Sequence, residues 1–129
     1  MSRKQEQVPL LKTEGKLPRI GVVGVGAVGM TLAWSLAACG YPMVTVMNRT
    51  PAAAAWLADR LPGCQVALSP AEMTAKAEIV ILAVPDDALA NVAASIPWRS
   101  GQAAVHCSGA APARVLASRA RSLVLFIPC

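Results

Sequence analysis

The chain has 129 residues, 55% of them hydrophobic, 15% charged and 4% aromatic, which excludes disorder over most of its length and fits a single domain. The formal charge is +5, but residues 1–19 hold five basic and two acidic groups, so the rest is nearly balanced. No basic stripe interleaves with aromatics, which argues against nucleic acid as a partner.

Residues 1–18 are polar, mixed in charge and without a clear period, and read as a flexible leader before a domain over 19–129. They lack the hydrophobic segment of a signal peptide. Residues 20–48 carry no charge, long enough to span a bilayer. Gly21, Gly24, Gly26, Gly29, Gly40 and Pro42 break that stretch into strand, turn, helix, turn and strand, so no membrane is expected.

The run 20–23 predicts a buried strand ending at Gly24, and 27–39 predicts a helix with Val28, Leu32 and Leu36 inward and Ala33 and Ala37 beside them. Gly40 stops that helix. A second strand is expected over 43–47. Thr50, as a hydroxyl cap, and Pro51 then open a helix to about Arg60. A short strand over 65–68 precedes Ser69-Pro70-Ala71-Glu72, which has the spacing of a capping box. The run 78–84 predicts a strong buried strand ended by Pro85, and Asp86 or Asp87 is expected to cap a helix to about Ile96. A strand over 103–106, a helix over 112–119 and a strand over 123–127 complete the chain. The alternation predicts a doubly wound α/β domain whose mainly parallel six-stranded sheet has the order 3-2-1-4-5-6.

Cys39, Cys64, Cys107 and Cys129 form no C-x-x-C pair and there is one histidine, so neither a metal site nor a disulfide framework is expected. The cysteines read as reduced, buried thiols of a cytoplasmic protein. Trp34 lies off the inner stripe of the first helix and Trp98 follows Pro97 in a loop; each could mark an interface or pack within the domain.

Gly24-Val25-Gly26-Ala27-Val28-Gly29 is G-x-G-x-x-G between a strand and a helix, the context in which that pattern binds a dinucleotide. Gly24 permits the turn, Gly26 leaves room for a pyrophosphate and Gly29 lets the helix approach the strand. Met30 stands where the lysine of a nucleotide P-loop would be. After the second strand, where NAD sites place a carboxylate, the chain has Asn48-Arg49-Thr50. Arg49 can fork onto a 2′-phosphate and the neutral neighbours can donate to it, so NADP(H) is favoured over NAD(H). Val84, Pro85 and Asp86 follow the fourth strand at the edge of the expected crevice. Asp86 reads as a helix cap or as a contact to the nicotinamide ribose. His106, Cys107, Ser108 and Gly109 follow the fifth strand. His106 and Ser108 are the candidates for chemistry, although a lone histidine at a strand end is more often packed and Ser108 lacks a nucleophile motif.

The segments GVVGVGAVG, VMNRT, ILAVPDD and VHCSGA together resemble the N-terminal domain of bacterial proteins assigned as NADP-dependent oxidoreductases, which continue into a helical domain of unknown function. Those proteins are similar to pyrroline-5-carboxylate reductases, deazaflavin-dependent NADP reductases and the 6-phosphogluconate dehydrogenase group. The resemblance covers about residues 19–128. It implies pyrophosphate at Gly24, Gly26, Ala27, Val28 and Gly29, and the adenosine phosphate at Asn48, Arg49 and Thr50. It also implies nicotinamide-side contacts from Val84, Pro85 and Asp86, and from His106, Ser108 and Gly109. The chain departs from relatives in reading Phe126-Ile127-Pro128 where they commonly have Phe-His-Pro, and in ending at Cys129, where they enter the helical domain. The resemblance therefore implies the cofactor half of a hydride-transferring enzyme acting on an unknown small molecule, with the substrate half and the surface for a homodimer supplied elsewhere. The alternatives are a non-catalytic NADP(H)-sensing module acting through a partner chain and, less well supported, a methyltransferase-like site, whose ribose contact needs an acid after the second strand.

Overall fold

The computed structural model describes residues 16–106 and the backbone of 121–124. Ten elements alternate along it: β1 (Ile20–Val23), α1 (Ala27–Ala38), β2 (Met43–Met47), α2 (Pro51–Ala58), β3 (Gln65–Val66), α3 (Pro70–Lys76), β4 (Ile79–Leu82), α4 (Asp86–Ser95), β5 (Ala103–His106) and β6 (Arg121–Val124). All pairings are parallel and the sheet order is β3-β2-β1-β4-β5-β6, as the alternation predicts. β1 pairs with β2 on one side and β4 on the other, so the order reverses beside it. That reversal opens a crevice at the carboxyl ends of the strands.

The strands are short, and β1 and β4 are buried at every position. β3 is shorter than expected: the Ala67 N–H still donates to the Val46 carbonyl at 2.8 Å, and the chain then leaves the sheet. β4 likewise stops at Leu82, with the Ala83 N–H still donating to the Val23 carbonyl at 2.8 Å before Val84 and Pro85. β6 begins two residues earlier than the predicted 123. The predicted helix over 112–119 lies outside the described residues, as do Cys107, Ser108, Gly109, Cys129 and residues 1–15.

Two apolar layers cover the sheet. One packs Ala33, Leu57, Ala58 and Leu61 against Ile20, Val22, Val46, Ile79 and Ile81. The other packs Met73, Leu89, Ala93, Ile96 and Trp98 against Val23, Val80, Leu82 and Ala104. Each fully buried aliphatic side chain contributes roughly 1.5–3 kcal/mol.

The inward face of α1 differs from the predicted stripe. Gly29 and Ala33 are buried, whereas Val28 is 41% exposed and Leu32, Leu36 and Ala37 are half-buried. The smallest side chains face the sheet because the helix comes so close to it: a Cβ on Gly29 would lie 2.0 Å from the Gly24 carbonyl oxygen. α1 ends as expected at Gly40, whose φ of +93° lets Tyr41 N–H reach the Leu36 carbonyl and Gly40 N–H the Ala37 carbonyl, each at 3.0 Å.

The caps divide. Ser69 Oγ accepts from Glu72 N–H at 3.3 Å and Glu72 Oε1 accepts from Leu68 N–H at 2.9 Å, so the box forms one residue wider than the usual pattern. Thr50 stands at the start of α2, but its hydroxyl makes no capping bond. Neither Asp86 nor Asp87 caps α4. Pro85 holds that position, its carbonyl accepting from Ala88 N–H at 2.9 Å, and both carboxylates lie in the first turn, where the helix dipole favours them.

The thiols are not uniformly buried. Cys39 is exposed and Cys64 half-buried. Burial pushes the Cys64 thiol up to about 11, against smaller lowering by a backbone hydrogen bond at Gln65 and by Lys76. Trp34 stays 40% exposed and off the inner face, whereas Trp98 is 5% exposed with its indole N–H donating to the Ala93 carbonyl at 2.9 Å. Trp98 therefore plugs the end of α4 and offers no free surface. No described helix is long and apolar enough to cross a membrane.

Candidate functional site: a crevice at the sheet reversal

A crevice of about 550 Å³ lies at the carboxyl ends of β1 to β4. The glycine turn forms its floor with Val23, Gly24, Val25 and Gly26. Met47, Asn48, Arg49 and Pro51 form one wall, and Val66, Ala67 and Leu68 extend it. Ala83, Val84 and Pro85, with Ala88, Val92 and Ser95 of α4, form the opposite wall.

The three motif glycines are held for three reasons. Gly24 has φ +100°, and a Cβ there would lie 2.2 Å from the Ala83 carbonyl oxygen, so the turn requires glycine. Gly29 is required by the close approach of α1 already described. Among the described residues, a Cβ at Gly26 would meet nothing within 4 Å. That space is in front of the helix start, where main-chain N–H groups without helical partners favour an anion. No acidic residue stands in the first turn of α1 to oppose one. The residues present thus fit a dinucleotide pyrophosphate: open at the one glycine that must admit it, filled at the other two.

Three hydrogen bonds hold the opposite rim. Gly24 N–H donates to the Met47 carbonyl at 2.8 Å. One residue on, Asn48 Oδ1 accepts from Val25 N–H at 3.0 Å and its Nδ2 donates to the Thr50 carbonyl at 3.2 Å. Arg49 is exposed on this rim, and the one ion pair among the described residues, Arg19 with Glu78 at 3.7 Å, lies at the other end of the sheet. The guanidinium is thus available to a ligand anion.

The structure therefore brings Gly24, Gly26, Asn48, Arg49, Val84 and Pro85 together around one opening. Ala27 and Val28 are exposed at the start of α1, Thr50 is exposed beside Arg49, and Asp86 is exposed at the start of α4. His106 is fully buried at the end of β5, in register with Leu82 and Val124, and does not line the crevice. Ser108 and Gly109 lie outside the described residues. Sequence reasoning missed Leu68 on one wall and Ala88, Val92 and Ser95 on the other. Leu68, 80% exposed two residues after β3, is the signal that could have been followed, since the carboxyl ends of the strands face the crevice. Among the described residues, no group of three His, Cys, Asp or Glu side chains could hold a metal ion.

The profile of a Rossmann-like domain matches residues 7–127. The chain belongs to the Rossmann-like domain family. Solved structures agree with that placement. A protein of Bacteroides fragilis assigned as an NADP oxidoreductase matches with a TM-score of 0.76 and 26% identity, over 84% of this chain and 43% of that one. An imine reductase from a Pseudomonas species matches with a TM-score of 0.60 and 33% identity, over 70% of this chain and 32% of that one. A reductive aminase of Aspergillus terreus, solved with NADPH and ethyl levulinate, shares the fold with a TM-score of 0.68 at 24% identity, over 82% of this chain and 39% of that one. This Rossmann-like chain spans less than half the length of each. No curated protein matches it.

Proposed function

We propose that the crevice binds NADP(H) in preference to NAD(H), and that this domain is the cofactor half of an oxidoreductase that transfers hydride to or from a small-molecule substrate. The observation that carries the reading is the pairing of an open Gly26 at the helix start with an exposed arginine, without a carboxylate partner among the described residues, on the rim across from it. The residues divide the work. The start of α1 holds the pyrophosphate through main-chain N–H groups. Arg49, with the exposed Thr50 beside it, meets the 2′-phosphate, and no acid after β2 repels it. Val84 and Pro85, together with Ala88 of α4, give an apolar wall that excludes water from one side of the ligand. Bound NADPH supplies the hydride; the domain supplies its position.

A second reading has its own support. Arg49 is the single charged side chain among the described lining residues, and none of them is a histidine, cysteine or carboxylate. A crevice whose described lining holds no acid or base suits an NADP(H)-sensing module acting through another chain as well as it suits half of an enzyme.

Amide resonances of the full chain, followed during NADPH addition, test the binding site. The reading expects the shifts to concentrate at Gly24, Gly26, Ala27, Val28 and Arg49 and to leave Arg99 and Gln102 unmoved. Shifts confined elsewhere, or none at saturating NADPH, would refute it.

A further inference from the structure

We propose that Asn48 is a positioning residue that couples the two anion subsites of the crevice and does not itself contact the dinucleotide. The inference rests on the NADP(H) reading above and adds to it how the two ends of the site are kept at a fixed separation.

Both ends of the Asn48 amide are engaged within the protein. Its oxygen takes Val25 N–H at 3.0 Å and its nitrogen donates to the Thr50 carbonyl at 3.2 Å. Val25 sits between the glycine that makes the turn and the glycine left open for pyrophosphate. Thr50 directly follows Arg49 and starts α2. The last main-chain bond joining the two loops is Gly24 N–H to the Met47 carbonyl. Beyond it the backbones part, and among the described residues the Asn48 side chain is the hydrogen-bonded tie between them. The bond to Val25, which crosses between the loops, is part-buried, so water competes poorly for it; the bond to Thr50 is exposed.

The chemistry explains why an amide suits this place. Val25 offers a donor and Thr50 an acceptor, and only a side chain with both functions satisfies the two together. Aspartate could take the Val25 N–H, but it would turn an oxygen toward the Thr50 carbonyl and set a negative charge beside Arg49. A ligand that spans both loops gains from having them pre-set, because it does not bear the entropy of ordering one against the other. A ligand that touches one loop gains nothing from the tie.

The test titrates the full chain and its Asn48→Ala variant with three probes: NADPH, which spans both loops; adenosine 2′-monophosphate, which reaches the Arg49 loop; and inorganic pyrophosphate, which reaches the glycine turn. Loss of the tie is expected to weaken NADPH about tenfold while each single-loop probe changes less than about twofold. Equal weakening of NADPH and adenosine 2′-monophosphate would mean that Asn48 touches the ligand, and would overturn the inference. So would unchanged NADPH affinity. If the unsubstituted chain binds none of the three probes, the NADP(H) reading itself fails and the inference falls with it. A second readout needs no variant. NADPH, which spans both loops, should slow hydrogen exchange at the Val25 amide of the unsubstituted chain more than saturating inorganic pyrophosphate does; equal protection by the two would also overturn the coupling.

Discussion

The two ends of this parallel sheet are built to opposite rules. At the amino ends of the strands the polar groups are answered by the protein. Arg19 and Glu78 exchange main-chain and side-chain bonds, Gln102 Nε2 donates to the Thr74 and Ala77 carbonyls at 2.9 Å each, and Trp98 closes the end of α4. At the carboxyl ends the chain leaves space: an open crevice and, among the described residues, a glycine whose missing side chain nothing replaces and an arginine without a carboxylate. The same topology makes both ends. The closed end supplies stability, and the open end leaves binding capacity to a ligand.

Substitutions at the closed end should cost stability and spare binding. Trp98→Ala removes a buried indole and its bond to Ala93, and is expected to destabilise the fold by about 3–5 kcal/mol in denaturant unfolding. The folded fraction should keep its NADPH affinity; lost affinity in folded protein would erase the division between the ends. The open end is sharpened by its glycines. Gly24→Ala forces a side chain into positive φ and against the Ala83 carbonyl, and should cost about 2–3 kcal/mol. Gly26→Ala meets nothing, so its melting temperature should be unchanged while NADPH binding falls. A destabilised Gly26→Ala would show that its space is not free.

Smaller effects belong to local structure away from the crevice. Ser69→Ala removes the cap of α3 and should cost about 1 kcal/mol. Cys64 links stability to alkaline pH. Its thiol is raised from 9.0 to about 11 in the folded chain, so the folded state holds a proton that the unfolded state releases. Its stabilising contribution is full below pH 9 and is lost as pH rises from 9 toward 11. The pH dependence of unfolding for Cys64→Ala should be flatter over that window than that of the unsubstituted chain. Identical curves would contradict the assigned burial effect.

Much of this was legible in the sequence because it is local. The strand runs, the G-x-G-x-x-G context, Gly40 and the Ser69–Glu72 box each place the signal within a few residues of its effect. What failed was set by distant contacts. α1 is apolar all round, so its sequence carries no contrast to show which face turns inward; the approach of Gly29 to Gly24 decides it. Trp98 is buried by a bond to a helix it follows. Asp86 fits a cap by residue type, but Pro85 already occupies the position. In the crevice the glycine and arginine loops were readable, whereas the wall from Ala88, Val92 and Ser95 is ordinary helix that only the fold brings to the crevice. Asn48 was readable as a polar residue in the right place, but its bond across to Val25 of the glycine turn was not.

The central claim is that the crevice selects the 2′-phosphate through Arg49. Isothermal titration of the full chain and of Arg49→Asp with NADPH and NADH measures it directly. The account predicts NADPH binding tighter than NADH by about ten- to a hundredfold, the worth of a charge-assisted contact, with that preference abolished in Arg49→Asp. Equal affinity for the two cofactors, or a preference that survives the substitution, would contradict it.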